Sequence, residues 1–127
     1  MRLIVVRHAK AAPGEPDELR PLTPEGRETA SALAERLRGA RPDAVVTSPL
    51  LRARETAAPI AAAAGVELEV DERLAPGATV DDVRAAVAGR GETVVVVGHV
   101  PDCERVVLAL AGRTVSFPAG GVEEVEL

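Results

Sequence analysis

Aromatic residues are almost absent: Phe117 stands alone, with no tryptophan or tyrosine among the 127 residues. The core must therefore be assembled from Ala, Val and Leu. The single cysteine, Cys103, excludes an internal disulfide and fits a reducing cytoplasm. No apolar run approaches the ~18 residues of a membrane span, and the N-terminal apolar patch is too short for a secretory leader. A soluble, cytoplasmic protein is expected. The Gly-rich signatures G-x-x-x-x-G-K-[ST] and G-x-G-x-x-G are both missing, which argues against a nucleotide-binding protein. Two histidines without a cysteine cluster do not make a zinc set. Excess positive charge is lacking too. The net charge of −5 argues against nucleic acid or an anionic membrane as the main partner. A small local pocket for an anion stays open, because neighbouring charges decide there.

What the chain does have is 46% hydrophobic residues, gathered in short runs. The length suits one domain over residues 1–127 with a sizeable core. Leu3-Ile4-Val5-Val6 is mostly β-branched and reads as a strand buried on both faces. It stops at Arg7 and His8, a cation beside the one side chain that can be a neutral nucleophile near pH 7. One Arg-His pair is a weak signal in a chain so rich in arginine. The second histidine strengthens it, because Thr93-Val94-Val95-Val96-Val97-Gly98-His99 is again a buried-strand run ending in histidine. Ligands of open parallel sheets bind beyond the carboxyl ends of the strands, where both histidines would sit.

The remaining segments alternate between helix and strand. Ala11 to Leu22 has four Pro or Gly and no periodicity, so it reads as a loop. Its acids Glu15, Asp17 and Glu18 read as solvated, whereas Arg20 leaves directly from the proposed site. Thr23-Pro24-Glu25 opens a helix whose Ala30, Leu33, Ala34 and Leu37 form a core-facing stripe, ending near Gly39. Asp43 to Thr47 is a short second strand. Ser48-Pro49 is expected to cap and start the next helix, with Arg52 and Arg54 in its first turns, Pro59 kinking or splitting it and Gly65 ending it. A helix start presents free N–H groups to an anion, and arginine adds a bidentate fork that matches phosphate. Val66 to Val70 alternates as an edge or half-buried strand. Thr79 starts a short helix closing at Gly89, and Pro101-Asp102 starts another, with Val106, Val107 and Leu110 inward, ending at Gly112. Val122 to Leu127 reads as a last strand. Such alternation implies an α/β layered fold with a mostly parallel sheet.

Three motifs in this order, Arg7-His8-Ala9, Ser48-Pro49-Leu50-Leu51-Arg52-Ala53-Arg54-Glu55-Thr56-Ala57 and Val97-Gly98-His99, resemble the histidine phosphatase superfamily, also called the phosphoglycerate mutase-like fold. The likeness runs over nearly the whole chain and includes Leu22-Thr23-Pro24-Glu25-Gly26. The usual signature is Arg-His-Gly, from which Ala9 departs. That variant, the short length and Arg20-Pro21-Leu22-Thr23 look most like the bacterial phosphohistidine phosphatases of the SixA type. The resemblance implies a three-layer α/β/α fold with a mostly parallel central sheet. It implies His8 as the nucleophile that carries a transient phosphoryl group, with Arg7, Arg52 and His99 holding the phosphate oxygens and Arg20 as a further basic contact. No cofactor or metal is implied. The flanking guanidinium groups disfavour an imidazolium and keep His8 nucleophilic.

Members acting on phosphate esters often carry Asp-x-Arg-Leu-x-Glu, whose Glu protonates the leaving oxygen. Here the stretch is Asp71-Glu72-Arg73-Leu74-Ala75-Pro76, with proline in the acid's place. Glu72 is the available substitute, although a solvated charge at a strand end is the more ordinary reading. An N–P bond can leave from an imidazole that is already protonated, so the missing acid favours phosphohistidine on a protein. The short segment between the Arg52 helix and His99 implies an open site, with room for a phosphorylated protein side chain. Two alternatives are a phosphatase of small phosphate esters using Glu72 or a loop carboxylate, and a non-catalytic phosphoprotein-binding module.

Overall fold

A computed structural model describes residues 1–127. The first run forms β1 (Arg2–Arg7), whose interior positions Leu3 to Val6 are all buried. After a loop containing a 3-10 turn (Asp17–Leu19) come α1 (Pro24–Arg38), β2 (Ala44–Thr47), α2 (Leu51–Ala64) and β3 (Leu68–Val70). A second 3-10 turn (Glu72–Leu74) leads to α3 (Val80–Val87), β4 (Thr93–Gly98), α4 (Asp102–Ala111) and β5 (Val122–Glu126). The strands form one sheet in the order β3-β2-β4-β1-β5. β1 to β4 are parallel, and β5 closes one edge antiparallel to β1.

The pleat divides each buried strand between two cores. Ile4, Val6, Val45, Val95 and Val97 point to one face, where they meet Leu33, Leu37, Ala57 and Ile60 of α1 and α2. Leu3, Val5, Val46, Val94 and Val96 point to the other, where they meet Val83 and Val87 of α3 and Val106 and Val107 of α4. The fold is therefore a three-layer α/β/α sandwich with a mostly parallel sheet. Phe117, the lone aromatic, is buried in the second core beside Cys103.

Local signals set most boundaries. The Thr23 hydroxyl caps α1 by accepting the Gly26 N–H at 2.9 Å. Thr79 and Asp82 complete a reciprocal capping box at α3. Gly65 and Gly112 end α2 and α4 in the left-handed conformation. Four expectations need correction. Ser48-Pro49 does not start α2: the helix begins at Leu51, without a side-chain cap, because the Ser48 hydroxyl accepts the Leu50 N–H and pairs with His99. Pro59 does not split α2, since one lost backbone bond is outweighed by the buried face of Ala53, Ala57, Ile60 and Ala61. β3 starts at Leu68 because the Val66 N–H is still donated to the Ala61 carbonyl at the end of α2. α3 closes at Val87, ahead of Gly89.

Gly26 has a specific reason to be glycine. α1 crosses so close to the loop after β1 that a Cβ at this position would overlap the Lys10 carbonyl oxygen. That carbonyl also accepts the Thr23 N–H at 3.0 Å. Overpacking of this kind costs about 1–3 kcal/mol, more than the helix propensity regained. Gly26→Ala is therefore expected to lower the thermal midpoint by several degrees in calorimetry. An unchanged or raised midpoint would show that the two backbones separate freely.

Candidate functional site

The parallel pair β1 and β4 is in register, with Arg7 opposite Gly98, so the next residue on each strand is a histidine. The His8 N–H extends the ladder to the Gly98 carbonyl at 3.1 Å, and the His8 carbonyl accepts the Gly120 N–H at 3.1 Å. Ala9 is fully buried and packs with Leu22 and Ala30, so its methyl fills a small cluster where the family signature has glycine. The Ala9 N–H is donated to the Thr56 hydroxyl at 3.0 Å, and that hydroxyl donates to the Arg52 carbonyl at 2.8 Å. Thr56 thus couples the backbone beside His8 to the first turns of α2. Its place inside the helical motif makes it legible only once the partner is known.

The two imidazoles face each other, with ring centroids 5.3 Å apart and planes inclined by 56°. His8 Nδ1 lies 2.7 Å from the Ala9 carbonyl. A carbonyl can only accept, so Nδ1 carries the proton and the neutral ring keeps its lone pair on Nε2. His99 is buried, and its Nε2 shares a 2.7 Å hydrogen bond with the Ser48 hydroxyl.

Arginines converge on the same end of the sheet. Arg52 is buried, and its fork donates to the Asp17 backbone carbonyl at 2.9 Å and to the Asp17 carboxylate at 3.2 Å. Arg20 donates to the other Asp17 oxygen at 3.1 Å and to the Ala12 carbonyl at 2.8 Å. Arg7 donates to the Phe117 carbonyl at 2.9 Å, while its buried Nε has no partner. Arg54 lies in the first turn of α2 as expected, and its side chain turns back to the Pro49 carbonyl. Glu72 lies on the 3-10 turn after β3, with its residue exposed. Asp17 is solvent-exposed, as its loop reading expects, but its carboxylate is also tied to Arg20 and Arg52, and nothing in the loop's composition distinguished it from Glu15 or Glu18.

Burial and charge act together on these groups. Desolvation lowers the His8 pKa most, and the charges of Arg52, Arg7 and Arg20 lower it further, against the Ala9 hydrogen bond that raises it. His99 is pushed down to about 4, first by burial and then by His8 and Arg52, with Asp17 opposing. Asp17 itself is held below the usual carboxylate range, chiefly by its hydrogen bond from Arg20. Cys103 is raised to about 12 by burial, so it stays a thiol. A neutral imidazole with a free lone pair, ringed by guanidinium groups, has the parts needed to attack an electrophile that carries negative charge.

The model of the histidine phosphatase superfamily (branch 1) matches residues 3–76. An uncharacterized protein of Picosynechococcus sp. is 34% identical over 136 residues, covering 96% of this chain and 82% of that protein. The chain belongs to the histidine phosphatase superfamily, and it is a phosphatase. Within that class it is SixA-like. The protein histidine phosphatase SixA complexed with tungstate superposes with a TM-score of 0.88 at 28% identity, over 100% of this chain and 88% of that one. A protein of Agrobacterium tumefaciens, proposed as a phosphohistidine phosphatase SixA, gives 0.82 at 28% identity, over 97% and 89%.

The sign of the His8 shift is open to direct test in the free protein. Because Arg52 lowers the His8 pKa, Arg52→Gln is expected to raise it toward the ordinary value of 6.5, as read from the imidazole C–H resonances. Only two histidines need assignment. In the unaltered protein His8 should titrate below 6.5, so the neutral ring dominates at pH 7. A His8 pKa unmoved or lowered by Arg52→Gln would contradict the placement of that charge.

Proposed function

We propose that this chain hydrolyses phosphohistidine on a protein substrate through a covalent intermediate on His8. The observation that carries the reading is the Nδ1–H of His8 donated to the Ala9 carbonyl, which leaves Nε2 unprotonated beside Arg7, Arg20, Arg52 and His99. Nε2 attacks phosphorus, the P–N bond to the substrate imidazole breaks, and that imidazole leaves carrying its own proton. Water then attacks phosphorus, the His8 P–N bond breaks, and inorganic phosphate is released. The phosphoryl group brings about −1.5 to −2 charge, which the guanidinium forks meet with bidentate donors. Phosphoryl transfer asks mainly for positioning and charge stabilisation, so no metal or cofactor enters the scheme.

What stands at the exit favours an imidazole leaving group. Pro76 occupies the place of the leaving-group acid, and an imidazole leaving group does not need one. Between α2 and His99 the chain has only a three-residue strand, a 3-10 turn, an eight-residue helix and β4. That span contains no aromatic side chain and supports a site reachable by a phosphorylated protein residue. A small phosphate ester is the competing substrate, with Glu72 as the acid.

The test is turnover without added metal of a histidine-phosphorylated phosphotransfer protein and of a generic phosphate ester. Faster loss of phosphohistidine, abolished by His8→Ala and untouched by Glu72→Gln, is the expected result. Near-normal rates in His8→Ala would sink the mechanism. Faster ester turnover that falls in Glu72→Gln would assign the protein to small esters. Phosphate affinity without turnover on either substrate would make it a binding module.

A further inference from the structure

The loop that leaves β1 returns a carboxylate to the arginines that the proposed chemistry needs. We infer that Asp17 is an internal competitor for the phosphoryl group, an autoinhibitory anion that a substrate displaces from Arg52 and that helps expel the product. The inference rests on the phosphate-binding role of Arg52 proposed above.

Three features of the contact support it. First, one carboxylate bridges two guanidinium groups, with Oδ1 accepting from Arg20 and Oδ2 from Arg52, the two-oxygen pattern that a phosphate would present to the same donors. Second, burial is lopsided. The Arg52 side chain is 9% exposed and that of Asp17 60%. The carboxylate can swing into water at little desolvation cost, whereas the guanidinium stays where it is. Third, Arg52 does not need the carboxylate to be ordered. Its shaft is buried in the first turn of α2, and its other amino group donates to the Asp17 backbone carbonyl. Charge acts in the same direction, because an aspartate left beside an incoming phosphoryl group would repel it. When phosphate has been released into solvent, the carboxylate returns to Arg52 and opposes rebinding of product.

The opposite role, in which Asp17 orders Arg52 for its substrate, predicts the opposite sign, and inorganic phosphate separates the two. Its dissociation constant would be measured by calorimetry, and its inhibition constant by competition, for the full chain and for Asp17→Asn. Asparagine keeps the backbone contact to Arg52 and nearly the same volume. With the exposure of the pair discounted, Asp17→Asn is expected to bind phosphate about three- to tenfold more tightly, and Asp17→Glu to restore part of the weaker binding. Unaltered or weaker phosphate binding in Asp17→Asn, with the thermal midpoint retained, would overturn the inference. Arg52→Ala in both backgrounds keeps the failures apart. Loss of phosphate binding there supports the clamp, and unchanged binding would refute the clamp itself and not only its competitor.

Discussion

The parallel pairing of β1 with β4 is the constraint on which the site depends. With Arg7 opposite Gly98, the two histidines emerge one residue beyond the last buried pair. A slip by one residue would turn every side chain of β1 to the other face and break both cores. Ile4 and Val6 belong to one core and Leu3 and Val5 to the other, so hydrophobic packing on two sides holds the register. The 5.3 Å approach of His8 and His99 is thus a consequence of valine and leucine packing at a distance from it. The backbone finishes the work, since His8 is bonded through its N–H to Gly98 and through its carbonyl to Gly120.

Electrostatics follow from where that register puts the charges. Arg7, Arg20 and Arg52 all act on a partly desolvated imidazole, and each lowers its affinity for a proton. Cations of this kind are expensive to gather near the interior, and the fold offsets them with acceptors of small charge: the carbonyls of Phe117, Ala12 and Asp17. The one full negative charge among them comes from a surface element, the 3-10 turn at Asp17, and not from the core. A site built this way keeps a strong field for an anion and meets it with a partner that water can accept.

Much of this was legible in the sequence, and for identifiable reasons. Unbroken runs of β-branched residues marked the two central strands. Thr23, Thr79, Gly65 and Gly112 marked helix ends, because capping is local chemistry. His8, Arg7, Arg52 and His99 were named from motif order, and the structure brings them to one end of the sheet. The Ser48 miss was decided by a partner distant in the chain. Ser48 read as a helix cap, yet its hydroxyl serves Leu50 and His99, 51 residues away. Pro59 read as kinking or splitting α2, yet the helix runs unsplit from Leu51 to Ala64. Asp17 is exposed as read, but an acid in a Pro-rich loop carries no periodicity that could point to its ion pair with Arg52, 35 residues on. Ala9 was visible as a departure from the family signature, but its reason, a small cluster with Leu22 and Ala30, exists only in three dimensions.

Passage of the phosphoryl group through His8 is open to direct observation. The most direct measurement is to mix the protein with a histidine-phosphorylated protein carrying isotopic phosphate, quench within milliseconds and map the label by mass spectrometry. An acid-labile phosphoryl group is expected on the peptide containing His8, formed before free phosphate and lost as phosphate appears. Turnover with label never found on His8, or with label on another residue, would contradict it.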